Sequence, residues 1–203
     1  MKPGRCILTA VAIALLAISS DQQPTVSTTR GVARVECDES LFPVMQLQAE
    51  DFHNTYPEGR INIRSVEARE AVVNFVSDSI RVITLGRPFN KEELDYLKNA
   101  NIEYDGYKVA LDAIVVILNT QHADSMLRIT ELDSIFSGTL TRWNSRQKPL
   151  IDAFVGDINS STDEVFRTVI LEGRPFGQTV TRINSSEKMV EEVKTNPHAI
   201  GLV

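Results

Sequence analysis

The sequence is poor in the residues that build disulfides, metal sites and nucleic-acid-binding faces. Its 203 residues include two cysteines, Cys6 and Cys37, and three histidines, His53, His122 and His198. The histidines do not stand at metal-ligand spacing. The formal net charge is −6 and no Lys/Arg cluster occurs, whereas phosphate neutralisation supplies most nucleic-acid affinity. We therefore predict no metal site and no nucleic-acid partner.

The motifs of common enzyme classes are missing as well. There is no G-x-S-x-G turn, no P-loop and no G-x-G-x-x-G segment. Aspartates and glutamates are scattered, and nothing pairs two of them as a general acid and base. We therefore expect neither catalytic residues nor a cofactor.

The N-terminus has the order of charges and apolar residues that is typical of a secretory signal peptide. Lys2 and Arg5 precede the 13-residue run Cys6–Ile18, which has one mild polar interruption at Thr9. Small residues then offer a cleavage site, so residues 1–19 are predicted to be a cleaved signal. The run is shorter than the roughly 20 apolar residues of a transmembrane helix. The expected location is periplasmic or secreted.

Residues 20–31 are polar and without periodicity, and they are predicted to form a flexible leader. Asp21 stands where a lipid anchor would need a cysteine. Cleavage removes the two positive charges of Lys2 and Arg5, and so takes the net charge from −6 to −8. It also leaves Cys37 as the lone cysteine, which excludes an intramolecular disulfide.

Apolar segments of strand length alternate with segments of helical periodicity along the rest of the chain. This alternation predicts an α/β protein with mainly parallel sheets and right-handed crossovers. Strands are expected at 32–37, 61–63, 80–85, 107–119, 150–155, 180–183 and 199–203. Helices are expected at 41–52, 66–76, 90–99, 129–136, 161–171 and 185–195.

Two strand-to-helix loops carry small polar residues where parallel sheets bind ligands, Asp38–Leu41 and Asn159–Thr162. Unpaired N–H groups and the helix dipole make such a helix start an anion site. The second loop also has a purely structural interpretation, because Ser161-Thr162-Asp163-Glu164 fits an S-x-x-E capping box. Capping needs one hydroxyl, and the loop supplies three together with an amide.

A third loop closes the predicted strand at 80–85 with Thr84-Leu85-Gly86-Arg87-Pro88. Arg87 is either an exposed side chain of an ordinary turn or a cation on the same ligand-binding rim. Both interpretations stay open from the local sequence.

The order of these pieces resembles the phosphate-binding proteins of bacterial phosphate ABC transporters, the PstS-like family. The resemblance rests on YKVALDAIVVILN, ITELDSIFSGTLTRWNS, the NSST helix start and TNPHAIGLV. The segment IFSGTLTRWN, Ile135–Asn144, is its most specific part. The family implies a type 2 periplasmic-binding-protein fold, in which two α/β lobes joined by hinge strands hold a ligand between them.

The resemblance also implies where the lobes lie. Residues 32–108 would form lobe I, and residues 109–203 the hinge strand and lobe II. In such proteins the chain crosses back after the A-I-G-Y-V strand, whereas this sequence stops at Val203. The expectation is therefore a C-terminally truncated chain whose return segment is missing.

The resemblance carries a set of candidate ligand-binding residues onto this sequence. They are Ser40, Leu41, Gly86, Arg87, Asn159, Ser160, Ser161 and Thr162.

The sequence departs from the family at three places. No arginine stands near Gly156, the Ser/Gly-rich second loop is replaced by Ser65–Arg69, and the glycine of S-G-T is Ser161. Arg87 and Arg69 are the candidate replacements for the missing positive charge.

The implied function is a monomeric periplasmic solute-binding protein that captures phosphate or a related small oxyanion for an ABC permease. The alternative is a non-transporting module of the same fold, acting as a sensor or a surface interaction domain. An enzyme is the third and weakest interpretation.

Overall fold

The computed structural model describes residues 27–122, 126–143 and 149–203. The predicted signal peptide at 1–19 and most of the predicted leader lie outside these residues. Ser27 forms a bridge to Arg30 that closes a tight turn inside the predicted leader. The described strands are β1 (Gly31–Asp38), β2 (Gly59–Val66), β3 (Ile83–Thr84), β4 (Val116–Leu118), β5 (Asp152–Val155), β6 (Val180–Arg182) and β7 (Ala199–Leu202).

Helices follow the strands in the predicted alternation. They are α1 (Phe42–Thr55), α2 (Ala68–Val76), α3 (Lys91–Asn99), α4 (Ile129–Phe136), α5 (Ser161–Val169) and α6 (Ser186–Thr195), and a 3₁₀ turn, Glu39–Leu41, precedes α1. None of the helices in the described ranges is long and apolar enough to cross a bilayer.

The first sheet has three parallel strands in the order β2-β1-β3. Its central strand is buried at its carboxyl end, where Val35 and Cys37 are 8% and 0% exposed. Glu36 lies between them, and its carboxylate accepts hydrogen bonds from Arg64 and Asn74. We call this sheet with α1, α2 and α3 the first lobe.

The second sheet has the order β4-β7-β5-β6, and only β4 runs antiparallel to its neighbour. Together with α4, α5 and α6 it forms the second lobe. Its core includes Ile135, Phe136 and Trp143, which are 2%, 0% and 6% exposed. The Trp143 indole N–H donates to the carbonyl of His198 at 3.0 Å. The described part of the IFSGTLTRWN segment is therefore core structure.

Two predicted strands are much shorter in the structure. The strand at 80–85 is reduced to β3, and of the segment 107–119 only β4 pairs with a neighbour. Leu111, 83% exposed, lies in the unpaired part. The reason is the lack of a partner strand among the described residues. β4 pairs with β7, and the ladder ends at the exchange of hydrogen bonds between Val115 and Val203.

The parallel strands place the loops that follow β1, β3 and β5 at the carboxyl ends of their sheets, where α/β proteins bind ligands. Residues 102–115 connect the lobes without helix or strand.

Phe136→Ala tests the role of the IFSGTLTRWN segment in the core. Because this ring is fully buried against Phe166 and Phe176, we expect a loss of about 3–5 kcal/mol in the free energy of unfolding. Val169→Ala, at a side chain that is 67% exposed, is the control and should change it by about 0.5 kcal/mol or less. Chemical denaturation measures both, and equal effects would contradict the packing.

Candidate ligand site between the two lobes

A buried carboxylate lies at the centre of the site. Asp38, the last residue of β1, is 1% exposed. Its Oδ2 accepts hydrogen bonds from the backbone N–H of Gly86, at 3.2 Å, and from the hydroxyl of Ser161. Its Oδ1 accepts a third, from the N–H of Ser40 at 3.4 Å. Donors from three loops therefore converge on one anionic group, and we call these three donors the donor cradle.

Gly86 allows this convergence because it has no side chain. A Cβ added there would lie 3.1 Å from the Cβ of Ser161 and 3.2 Å from both Asp38 Oδ2 and Ser40 Oγ. These distances are tighter than ordinary packing, so the close approach of the β3–α3 turn favours a glycine. They also place the hydroxyl of Ser40 beside the donor cradle.

The start of α5 supplies the second lobe's part of the site. The N-cap is Ser160, whose Oγ accepts from Asp163 N at 3.2 Å and donates to the carbonyl of Asp157 at 2.8 Å. The predicted capping box from Ser161 to Glu164 is therefore wrong by one residue. Because Ser160 performs the capping, the hydroxyl of Ser161 is available for Asp38.

Asn159 contributes through its backbone. Its carbonyl accepts a hydrogen bond from the N–H of Arg69 at 3.2 Å, in the first turn of α2. Its own N–H donates to Asp157 Oδ1 at 3.0 Å. The loop before α5 is thus hydrogen-bonded to the N-terminus of α2, in the first lobe.

A cavity of ≈ 60 Å³ adjoins the donor cradle. Its lining includes Ser40, Ser160, Thr162 and Ser186, together with Gly156. Because one water needs about 10–15 Å³ of such space, the cavity holds a few waters or one small ion. Thr162 lines this space, and its hydroxyl makes no hydrogen bond to any described residue.

Carboxylates from both lobes lie close together beside this cavity. Burial and the nearby charges of Asp157, Glu39 and Asp38 together raise the pKa of Glu67 to about 7. Burial also raises the pKa of Glu39. Asp38, Glu39 and Asp157 line the cavity, and none of its described lining residues is a lysine or arginine. Within the described ranges, no three His, Cys, Asp or Glu side chains are grouped to hold a metal ion.

Arg87 is buried in ion pairs between the lobes. Its Nη1 and Nη2 each lie 2.8 Å from a carboxylate oxygen of Glu93, and its Nε lies 2.6 Å from Glu164 Oε2. Asn90 Nδ2 donates to the other oxygen of Glu164 at 2.8 Å. Burial by itself raises the pKa of Glu93, but hydrogen bonds from Arg87 and from Asn90 N–H outweigh it and lower that pKa. Arg87 therefore joins the lobes, and its charge is already used by two carboxylates.

A guanidinium does lie beside Gly156, and it comes from β6. Arg182 Nη1 donates to the carbonyl of Gly156 at 2.8 Å and to Asp163 Oδ1 at 2.6 Å. Asp163 is 1% exposed, and burial raises its pKa although Arg182 pulls it down. Arg182 lines a separate cavity of ≈ 190 Å³ in the second lobe, so it does not face the donor cradle.

The structure thus brings together part of the predicted set. Ser40, Gly86 and Ser161 surround one carboxylate, and Ser160 and Thr162 line the adjoining cavity.

Three other predicted residues have different surroundings. Leu41 is half-buried at the start of α1, Arg87 is held in ion pairs, and Asn159 contributes its backbone. The sequence analysis missed Asp38 as a site residue. The sequence feature that could have identified Asp38 is a carboxylate directly after a predicted strand, inside a loop already considered a candidate for ligand binding.

Comparison with known proteins places this geometry in a family. Residues 22–203 match the family model of the PBP superfamily domain. The chain belongs to this family. The α/β fold of two lobes with mainly parallel sheets, expected from the sequence, is thereby confirmed.

The chain is similar to several curated proteins. It is 21% identical over 202 residues to protein SphX of Synechococcus elongatus, covering 95% of this chain and 60% of the relative. It is 23% identical over 119 residues to the phosphate-binding protein PstS of Staphylococcus aureus, covering 58% of this chain and 36% of that protein. The chain thus spans less than two thirds of the length of these relatives.

A solved structure with the same fold contains a ligand. It is a substrate-binding protein assigned to a phosphate ABC transporter of Clostridium perfringens, with bound phosphate. It superimposes with a TM-score of 0.73 at 20% identity, over 85% of this chain and 70% of that chain. The resemblance stated from the sequence is confirmed at the level of fold and family.

Arg87→Gln separates the two interpretations of this side chain. Removing the guanidinium leaves Glu93 and Glu164 without their buried counter-charge, so we expect a loss of about 3–5 kcal/mol in the free energy of unfolding. Arg81→Gln, at a side chain that is 84% exposed, is the control and should change it by about 0.5 kcal/mol or less. Unchanged stability with lost oxyanion affinity would instead make Arg87 a ligand-binding residue.

Glu67→Gln tests whether burial and neighbouring carboxylates raise the pKa of Glu67. The folded chain keeps a proton on Glu67 up to about pH 7, whereas an ordinary glutamate releases it near 4.5. The free energy of unfolding should therefore fall as the pH rises through this window, because the unfolded chain binds fewer protons there. Glu67→Gln should show a smaller decrease in the free energy of unfolding with pH. The control Glu58→Gln, at an exposed site, should show the same decrease as the unmodified chain. Identical pH profiles for Glu67→Gln and the unmodified chain would refute the raised pKa.

Proposed function

We propose that this chain is a solute-binding protein that captures phosphate or a related small oxyanion between its lobes. It hands the ligand to an ABC permease, as a monomer acting outside the cytoplasmic membrane, which its predicted signal peptide supports. The observation that carries the proposal is the donor cradle, where three donors from separate loops converge on one carboxylate.

The donors have the chemistry that an oxyanion requires. Two are backbone N–H groups at the beginnings of helical turns or loops, and the third is a hydroxyl at the first residue of α5. Such groups bind negatively charged oxygens with charge-assisted hydrogen bonds, and the dipole of α5 adds partial positive charge. Binding of this kind involves no covalent step, which agrees with the absence of catalytic motifs from the sequence.

The position between the lobes supports a role in transport. The second lobe meets the first through Ser161 on Asp38, through Asn159 on Arg69 and through Glu164 on Arg87. A ligand held at this interface contacts both lobes at once, so its arrival and departure are coupled to their relative position. The relatives that bind phosphate, PstS and the C. perfringens protein, support the choice of ligand.

One observation favours the alternative, a module of the same fold that no longer transports. The donor cradle is filled by the chain's own carboxylate, and acidic residues line the cavity beside it. A sensor or interaction domain could keep this arrangement without any anion. Titration calorimetry of the full chain with phosphate, sulfate and acetate separates the two. Heat from phosphate supports capture, and no heat from any anion with a folded chain supports the alternative.

Thr162→Val tests the second-lobe contact without disturbing the helix. The substitution keeps the branched shape and removes the unpaired hydroxyl of a residue that lines the cavity, so phosphate affinity should fall by at least about tenfold. Ser160→Ala is the matched variant, because it removes a capping hydroxyl and should lower the free energy of unfolding by about 1 kcal/mol. Calorimetry and thermal unfolding measure the two effects. A Thr162→Val chain that binds phosphate as tightly as before would rule out this contact.

A further inference from the structure

The carboxylate of Asp38 is buried without a direct ion pair, and it feels the charge of Arg87 only over a longer distance. It is 1% exposed, and no lysine or arginine in the described ranges forms an ion pair with it. A buried charge is costly unless hydrogen bonds replace its hydration. Here these bonds come from Ser40 N, Gly86 N and Ser161 Oγ. The donors proposed to hold the ligand are therefore already used by a side chain.

Capping explains only one of these three contacts. Asp38 is the N-cap of the 3₁₀ turn and accepts from Ser40 N, two residues away, at 3.4 Å. Gly86 and Ser161 are 48 and 123 residues away along the chain, and a cap has no need of them. The contact from Ser161 also crosses from the second lobe to the first. The position of the carboxylate is thus a feature of the interface between the lobes.

We propose that the Asp38 carboxylate is a built-in occupant of the donor cradle, which the oxyanion must displace in order to bind. The inference rests on the proposed function, since it concerns the same donors and the same ligand class. In the absence of ligand, Asp38 holds Ser161 and so keeps the lobes in contact. In its presence, the side chain leaves the cradle and the oxyanion takes over these donors.

Displacement follows from space and from charge. A Cβ added at Gly86 would lie 3.1–3.2 Å from atoms of Ser161, Asp38 and Ser40, so the three loops are closely packed around the carboxylate. Two like charges at hydrogen-bond separation also repel each other strongly in a poorly solvated place. Asp38 therefore lowers the apparent affinity for an oxyanion, because the ligand must displace the carboxylate in order to bind.

Asp38→Ser is the decisive variant. Serine still caps the 3₁₀ turn, but it is too short and neutral to fill the cradle. Phosphate affinity, measured by calorimetry at constant pH and ionic strength, should rise by at least about tenfold. Glu39→Gln is the matched control, because it removes the same charge from the same cavity and leaves Asp38 in place. It should raise affinity by no more than roughly threefold.

The outcomes separate this inference from the function on which it rests. Phosphate binding by the unmodified chain, with equal or weaker binding by Asp38→Ser, overturns the inference and leaves the function standing. An equal increase in phosphate affinity in Glu39→Gln also overturns the inference, because the loss of any negative charge near the cavity would then explain the increase. If Asp38→Ser binds phosphate and the unmodified chain does not, the result supports the proposal that Asp38 occupies the donor cradle. It also overturns a transport role for the unmodified chain. Folded chains that bind no anion in any form overturn both.

A second measurement covers the case in which Asp38→Ser does not fold. In the unmodified chain, ¹³C NMR of labelled aspartate carboxyls follows Asp38 during a phosphate titration, with Asp38→Asn used for assignment. Displacement predicts that the Asp38 carboxyl signal moves to the position of a hydrated carboxylate at saturation. A signal that stays unchanged while phosphate binds would overturn the inference.

Discussion

The site depends on the hydrogen bonds that the Asp38 carboxylate accepts from three donors. A single carboxylate at the end of β1 gathers a 3₁₀ turn, the turn after β3 and the first residue of α5. Without an anionic group at this point, Gly86 N–H and the Ser161 hydroxyl would face each other unsatisfied in a buried place, which is costly. The site is thus constructed around negative charge, whether its source is the chain itself or a ligand.

The buried ion pairs of Arg87 make this arrangement possible. The guanidinium holds Glu93 at the start of α3 and Glu164 in the first turn of α5, so it fixes the turn of Gly86 against the second lobe. Glu164 is engaged by Arg87, and Ser160 rather than Ser161 is the N-cap of α5. The hydroxyl of Ser161 is therefore available for Asp38.

The fold was largely predictable because its signals are local. The alternation of strands and helices follows from short sequence patterns, and the structure contains it in the predicted order. The strand predicted before β4 was wrong. A mainly apolar run such as Leu111–Val115 favours a strand, but the sequence does not show whether a partner strand lies beside it.

The site was predictable only in part, because its chemistry depends on contacts distant in sequence. The loops of Ser40 and Ser161 were identified from their small polar residues at helix starts. The role of Asp38 depends on partners 48 and 123 residues away. The burial of Arg87 depends on Glu164, in the other lobe. Neither the sequence pattern nor the family resemblance contains this information, because it arises only when the two lobes meet.

The most direct test of the central claim is a crystal structure of the full chain grown with saturating phosphate. The account predicts a phosphate whose oxygens accept hydrogen bonds from Gly86 N, Ser40 N and Ser161 Oγ, with the Asp38 side chain rotated out of the cradle. A phosphate bound elsewhere, with Asp38 still hydrogen-bonded to Ser161, would contradict it.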